Sequence, residues 1–165
     1  MSSLLVLVFG NEGGANRMIS EIQSLHQQQL ITINDAATVV RKMDGRIKIK
    51  QVASLVGPDP LGGVFWGMLI GILFYLPWLG LSVNIVTHTL ANKVNSYGIG
   101  DSFIKEIGAA IMPGYSALFI MVTTMREDRI IEAASKLKAT LLSKKLSKND
   151  EIMLRESFGA EELEV

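Results

Sequence analysis

The sequence contains no cysteine, which excludes disulfide bonds, a thiolate nucleophile and any cysteine-ligated zinc or iron–sulfur site. It also has no excess of one charge, because 16 Lys and Arg residues are balanced by 16 Asp and Glu residues. A general nucleic-acid-binding protein needs clustered basic residues in excess, so this balance argues against nucleic acid as a partner. Charged residues make up only 19% of the chain, compared with about 25% in a typical soluble domain.

Residues suited to catalysis are also sparse. The two histidines, His26 and His88, lie in unlike surroundings, and neither has partners at a spacing typical of a catalytic triad or a metal site. The acid pairs at 127–128 and 161–162 fall at a predicted helix start and in the C-terminal tail. The sequence therefore predicts no enzymatic activity, no cofactor and no metal site.

The N-terminal region predicts a strand, a glycine-rich loop and a helix. Residues 4–9, LLVLVF, form a continuous apolar run typical of a strand covered on both faces. A loop from Gly10 to Gly14 follows, and apolar residues then recur at helical spacing from Ala15 to near Gln29. Backbone amides in this context often bind phosphate, but the Walker and dinucleotide spacings are missing. Two interpretations stand: a ligand-sensing loop, or a tight turn before a helix.

A β-hairpin is predicted next. Residues 31–41 favour a strand, Asp44-Gly45 is a turn signal, and residues 46–50 alternate between basic and apolar. Alternation directs Ile47 and Ile49 to the core and collects Arg46, Lys48 and Lys50 on the other face. That basic face either rests on anionic lipid headgroups or is solvated.

The C-terminal half returns to alternating helices and strands. Asp101 begins a predicted helix that ends at Pro113-Gly114, and a buried strand follows at 115–122. A capping box at residues 124–127, TMRE, is predicted to open a second helix. A short strand at 140–146, a final helix from Ser147 and an acidic tail complete the order. The apolar stripes predicted for the two helices are Phe103, Ile104, Ile107 and Ile111, and Ile130, Ile131, Ala134 and Leu137.

This order predicts an α+β fold, a ferredoxin-like two-layer sandwich with an inserted hydrophobic, glycine-striped helical hairpin. Residues 1–57 and 97–165 together form the predicted α+β domain, and residues 58–96 form the insertion. The strands of either half are too few and too apolar to stand alone, so both halves are expected to share one sheet. Both ends of the insertion must then lie on the same side of any bilayer.

The insertion carries no Asp, Glu, Lys or Arg from residue 60 to residue 92. Pro77 divides it into two arms, which as helices reach only about 22–24 Å each against a hydrocarbon core of about 30 Å. A hairpin that turns near Pro77 keeps both halves of the sheet together, and basic residues on both flanks fit ends that face the cytoplasm. Trp66 and Trp78 are either interfacial anchors or core aromatics.

The two arms differ in their surfaces. Gly63, Gly67 and Gly71 recur every four residues, so they form one helical face that allows another helix to approach closely. Asn84 and His88 belong to a polar stripe on the second arm, which should face a partner helix, a water-filled lumen or the membrane interface. His88 is either a proton-responsive position or a hydrogen-bonding and interfacial residue.

Several blocks resemble one bacterial family, the domain of unknown function 1269. They are the strands LVLVFG at 5–10 and DAATVVR at 35–41, with Asp44-Gly45, then GGVFWGMLIG at 62–71, GIGDSFIKEIG at 98–108 and PGYSALF at 113–119. The blocks occur in matching order along nearly the whole chain. The resemblance implies a small bacterial protein that is associated with a membrane and has no established activity.

Three hypotheses follow for function. The first is a membrane-associated, self-assembling protein at the bacterial cytoplasmic membrane, with its globular part facing the cytoplasm and with lipid and further copies of itself as partners. The second is a water-soluble cytoplasmic homo-oligomer whose hairpins bury one another in a central bundle, since so much apolar surface cannot stay exposed on a monomer. The third is a small-ligand-sensing module that uses the Gly10 to Gly14 loop.

Overall fold

The computed structural model describes residues 2–57, 66, 69, 70, 73 and 101–146. Within residues 2–57 and 101–146, five strands, three α-helices and one short 3-10 helix follow one another along the chain. Their bounds are β1 Ser2–Phe9, α1 Gly14–Gln27, β2 Ile31–Arg41, β3 Ile47–Gln51, the 3-10 helix Ala53–Leu55, α2 Asp101–Ala110, β4 Ser116–Met125, α3 Glu127–Lys136 and β5 Thr140–Leu146. The final helix predicted from Ser147 and the acidic tail lie outside the described residues.

The strands form one antiparallel sheet in the order β3-β2-β4-β1-β5. Val6 of β1 lies opposite Phe119 of β4 on one side and Leu142 of β5 on the other. Strand β4 also pairs with β2 over almost its whole length. Strands from before and after the insertion therefore contribute to a single sheet, with β4 at its centre between β2 and β1.

Both faces of the sheet are covered, because the central strands are apolar on both sides. On one face, α1 and α3 pack over side chains such as Leu5, Leu118 and Ile120. On the other face, α2 packs over Val6 and Phe119 together with apolar residues of the insertion. The described residues thus form three layers where the sequence predicted two, because the insertion and α2 return to cover the second face.

The β2–β3 hairpin turns where Asp44-Gly45 predicted. The amide of Lys42 donates to the carbonyl of Arg46 at 2.8 Å, and Gly45 has a φ of 92°, a left-handed conformation that glycine adopts without strain. The backbone amide of Arg46 donates to the Asp44 carboxylate and holds the pKa of that carboxyl below its ordinary value. The turn therefore fixes the register in which β3 adds to the sheet.

Strand β3 forms an edge of the sheet, and this limits how much it buries. Ile47 packs against the core, as predicted. Ile49, which was also predicted to point into the core, is 37% exposed, so its predicted burial is wrong. The pattern placed both residues on the correct face, but an edge strand has a neighbour on one side only, and the covering layer does not extend over Ile49.

Helix α2 has the predicted apolar stripe, with Phe103, Ile104, Ile107 and Ile111 all buried. The chain leaves the helix through Pro113 and Gly114, whose φ of +85° is left-handed. The guanidinium of Arg41 donates to the carbonyl of Ile111 at 2.8 Å and so satisfies a group that a helix C-terminus leaves unpaired. Residues of β2 thereby anchor the end of α2.

Helix α3 departs from its prediction at two points. The capping box is wrong: Arg126 is the N-cap residue, no side chain caps the helix, and the hydroxyl of Thr124 donates instead to that of Thr32 across β2 and β4. Strand β4 simply continues past the predicted start. Ile131 is 50% exposed, and Ala133 takes the inward place. Residues 130, 133, 134 and 137 share one helical face, which residue 131 does not.

The matched substitutions Ile130→Ala and Ile131→Ala test this orientation of α3. Ile130→Ala should lower the free energy of unfolding by about 2–5 kcal/mol, because it opens a cavity in the core. Ile131→Ala should change it by no more than about 0.5 kcal/mol, because the side chain is half exposed. Chemical denaturation followed by far-UV circular dichroism measures both; equal losses would contradict the orientation.

Candidate functional site

The candidate site is the sheet face that receives the hydrophobic insertion. Of the residues predicted for self-association or membrane contact, Trp66 is described by the structure. The others lie outside the described residues: Gly63, Gly67, Gly71, Pro77, Trp78, Asn84 and His88. The site is therefore built from Trp66 and its described neighbours.

Trp66 lies in the core of the protein. It is 1% exposed, and its ring packs edge-to-face on Phe119 of the central strand, with centroids 6.2 Å apart and an interplanar angle of 74°. Such aromatic pairs contribute about 0.5–1.5 kcal/mol beyond the burial of their area. Of the two interpretations of Trp66, core packing describes the contact that this ring makes.

Three further residues of the insertion are buried beside the sheet, as Trp66 is. Leu69, Ile70 and Leu73 are at most 8% exposed and belong to the same apolar cluster as Phe119 and α2. Together with Trp66 they follow the i, i+3, i+4, i+7 spacing of one helical face, and residues 66, 69 and 70 have α-helical conformation. These four side chains of the first arm are thus covered by the protein's own sheet and α2.

The chain enters the insertion through a close backbone contact. The amide of Gly57 donates to the carbonyl of Asn34 at 2.9 Å, and a Cβ at Gly57 would overlap the carbonyl oxygen of Ile33. The pairing of β2 with β4 is irregular between Ile33 and Asp35. A β-bulge therefore holds the chain where residues 58 onwards begin.

A buried carboxylate follows this bulge, and it was not among the site residues predicted from the sequence. Asp35 is fully buried opposite Met121, a residue of the same cluster as Trp66. Its oxygens accept hydrogen bonds from the side-chain amide of Gln51 at 2.9 and 3.2 Å, and one oxygen also accepts the amide of Ala36 at 2.8 Å. The available signal was an acid in the middle of a predicted strand, since such a group needs hydrogen-bond partners when it is buried.

The glycine-rich loop is held by hydrogen bonds to Ser116, the first residue of β4. The amide of Ala15, at the start of α1, donates to the hydroxyl of Ser116 at 3.0 Å, and that hydroxyl donates to the carbonyl of Asn11 at 2.7 Å. A Cβ at Gly14 would overlap the side chain of Phe9. Close packing against Phe9 thus accounts for the glycine at position 14.

No helix in the part of the chain that the structure describes is both long enough and apolar enough to cross a bilayer. Nor does any group of three or more His, Asp or Glu side chains in residues 2–57 and 101–146 have an arrangement suited to a metal ion.

The fold and the site define an α+β protein whose antiparallel sheet holds part of a hydrophobic insertion on one face. The chain belongs to the family described as "Protein of unknown function (DUF1269)", whose family model matches residues 60–159. The resemblance inferred from the sequence is thereby confirmed, and the match takes in the insertion, α2, β4, α3 and β5. No curated protein and no solved structure matches the chain.

Trp66 provides the test of this site. Trp66→Ala should lower the free energy of unfolding by about 3–5 kcal/mol, because it removes the ring packed on Phe119 and leaves a cavity. Trp66→Phe should lose less, since it keeps an aromatic ring in the same place. Denaturation midpoints of both variants measure the difference. An unchanged midpoint for Trp66→Ala would show that the insertion does not stabilise the sheet.

Proposed function

We propose that this protein is a non-catalytic, self-assembling protein of the bacterial cytoplasmic membrane, with a ferredoxin-like domain that faces the cytoplasm. The observation that carries the proposal is the burial of Trp66, Leu69, Ile70 and Leu73 on the domain's own sheet. These four side chains attach the first arm directly to the domain. We infer that contacts made by the insertion are thereby coupled to the sheet.

The ferredoxin-like part of the proposal is supported by the strand order. Without β3, the order is β2-β4-β1-β5, and α1 and α3 each connect two strands that are not neighbours. This is the arrangement of two interleaved β-α-β units on one antiparallel sheet. In this interpretation β3, the insertion and α2 together form one addition between the second and third strands of the ferredoxin-like unit.

Self-assembly is proposed through the glycine stripe. At 3.6 residues per turn, the sequence places Gly63, Gly67 and Gly71 about 110° around the helix from the four side chains buried on the sheet. A helix in this orientation keeps its glycine face beside the sheet, where a second helix can approach closely. That second helix is the other arm of the hairpin or the same arm of another copy.

Membrane attachment is proposed through the second arm, residues 78–92. This arm carries no Asp, Glu, Lys or Arg, and Lys93 follows it directly. Pro77 separates it from the first arm, whose inner face is already occupied. Apolar residues of this arm enter the lipid, while the polar stripe with Asn84 and His88 faces a neighbouring helix or the interface.

A water-soluble homo-oligomer is the second candidate, and the same burial favours it. The side chains at 66, 69, 70 and 73 are covered by protein, so this face of the first arm needs no lipid. In this candidate the second arms of several copies bury one another in a central bundle. The two candidates share the glycine contact and differ in what covers residues 78–92.

Gly67→Leu tests the glycine contact. The added side chain should prevent close approach and shift the protein towards smaller species, measured as oligomer mass by light scattering or analytical ultracentrifugation in a mild detergent. Gly80→Leu is the matched control, because it adds the same side chain to a glycine outside the stripe. Unchanged mass for Gly67→Leu would reject the glycine contact.

Flotation of a detergent-free lysate after an alkaline wash separates the two candidates. Membrane attachment predicts that the protein floats with lipid and that Val86→Asp remains in the dense fractions, since a charge at a helix centre costs about 2.5–3.5 kcal/mol to insert. Asn95→Asp adds the same charge beyond the arm and should float like the unmodified chain. A discrete particle that stays dense for all three proteins would instead establish the soluble assembly.

A further inference from the structure

A cleft lies between the start of α1 and the β2–β3 hairpin, on the side of the sheet opposite Trp66. Its volume is about 460 Å³, within the range of small-molecule sites. Glu12 and Asn16 line one wall, and Thr38, Lys42, Lys48 and Lys50 line the other. A second cavity, of about 330 Å³, shares Lys42 and Lys48 with it and adds Arg46. Basic residues thus surround the end of the hairpin.

The β2–β3 hairpin carries a net positive charge, which is balanced by acidic residues elsewhere in the chain. Residues 41–50 have a single acid, Asp44, against Arg41, Lys42, Arg46, Lys48 and Lys50, whereas the whole sequence is neutral. Asp44 is held by Arg46 at 2.7 Å and lies outside the lining of the cleft. The excess positive charge is therefore concentrated at this end of the sheet.

Lys48 and Lys50 are the two cations best placed to bind an anion together. They lie opposite Val40 and Thr38, on the same face of β3, and two residues along a strand separate their Cα atoms by about 7 Å. Both side chains are exposed, and neither forms an ion pair with a carboxylate of the described residues. Two ammonium groups at this spacing can contact one phosphate group from both sides.

Lysines on an edge strand also prevent edge-to-edge pairing, and this is the alternative explanation for Lys48 and Lys50. It does not account for Lys42, which directly follows β2 and is not on the edge strand. The ammonium group of Lys42 lies 2.9 Å from the carboxylate of Glu12 at the wall of the cleft. Nor does edge protection account for the cavity itself, which the exposed side chain of Asn16 also lines. Lys42, Lys48 and Lys50 therefore line one cleft, in addition to any protection that they give to the edge strand β3.

We propose that this cleft binds a phosphate group, held between Lys48 and Lys50 and reached by Lys42 when Glu12 releases it. The phosphate belongs either to a soluble small molecule or to an anionic lipid headgroup. The inference does not rest on self-assembly, and it holds whether or not residues 78–92 enter lipid. Glu12 acts as an internal competitor, because its carboxylate occupies the ammonium group that an entering phosphate would also contact.

The test uses the full chain purified in a non-ionic detergent. Titration calorimetry with inorganic pyrophosphate at low ionic strength measures binding of a soluble phosphate. After detergent removal, co-flotation with vesicles of phosphatidylcholine, with and without phosphatidylglycerol, measures binding of an anionic headgroup above any attachment through the insertion. The double variant Lys48→Gln/Lys50→Gln is compared with Lys144→Gln/Lys145→Gln, which removes the same charge from the opposite edge strand, β5.

The expected result is a loss of about 25-fold in affinity for Lys48→Gln/Lys50→Gln, at roughly fivefold for each cation, and less than about twofold for the β5 control. Loss in the pyrophosphate arm assigns a soluble ligand, and loss confined to phosphatidylglycerol vesicles assigns the headgroup. Binding in neither arm, or equal losses in both double variants, would overturn the proposal and leave edge protection as the role of the lysines. Unchanged melting temperatures confirm that the variants fold.

Glu12→Gln supplies a gain of affinity that an edge-guarding role would not produce. It frees Lys42, so pyrophosphate or headgroup binding should strengthen by about fivefold. Glu21→Gln is the control, since Glu21 pairs with Lys136 at 3.2 Å on the surface between α1 and α3, away from the cleft. The Lys48→Gln/Lys50→Gln variant keeps the insertion unchanged, so its retention on alkaline-washed membranes measures attachment through the insertion alone. Failure of the phosphate proposal can therefore be distinguished from failure of membrane attachment.

Discussion

Strands β1 and β4 carry apolar side chains on both faces, so neither side of the sheet can be left in water. Alternate residues of β4 enter separate clusters, with Phe119 on one face and Leu118 and Ile120 on the other. Burial of such side chains is worth about 1.5–3 kcal/mol each, and the sheet retains this contribution only if both layers form. Helices α1 and α3 cover one face, which leaves the second face dependent on α2 and the insertion.

Because of this dependence, the hydrophobic insertion contributes to the stability of the fold itself. Trp66, Leu69, Ile70 and Leu73 complete a core that would otherwise be open, with Trp66 packed on the central strand through Phe119. The two faces of the sheet also differ in polarity and charge. The face with the insertion is apolar and contains the buried carboxylate of Asp35, whereas the opposite face ends in a basic cleft beside the β2–β3 hairpin.

Local patterns predicted the elements well where one physical cause dominated. The bounds of β2 agree with the prediction, Asp44-Gly45 forms the turn, and the stripe on α2 is buried as its spacing requires. Errors arose where a neighbour outweighed the pattern. Thr124 has the chemistry of a cap, but it lies in a strand that extends to Met125 and bonds Thr32 instead. Ile49 has the correct parity, but its strand lies at an edge.

In residues 2–57 and 101–146, the sequence by itself determined which segments form strands and α-helices. It also determined the neutral composition with its basic hairpin, and the uncharged stretch from residue 60 to residue 92. Those properties depend on spacing and composition within short windows. Only the tertiary structure decided that Trp66 packs on Phe119, that Ser116 caps α1 from a position 101 residues away, and that Lys42 and Glu12 meet at a cleft. Such contacts depend on which strands become neighbours, and pairing is set by the burial of the whole sheet and not by any local pattern.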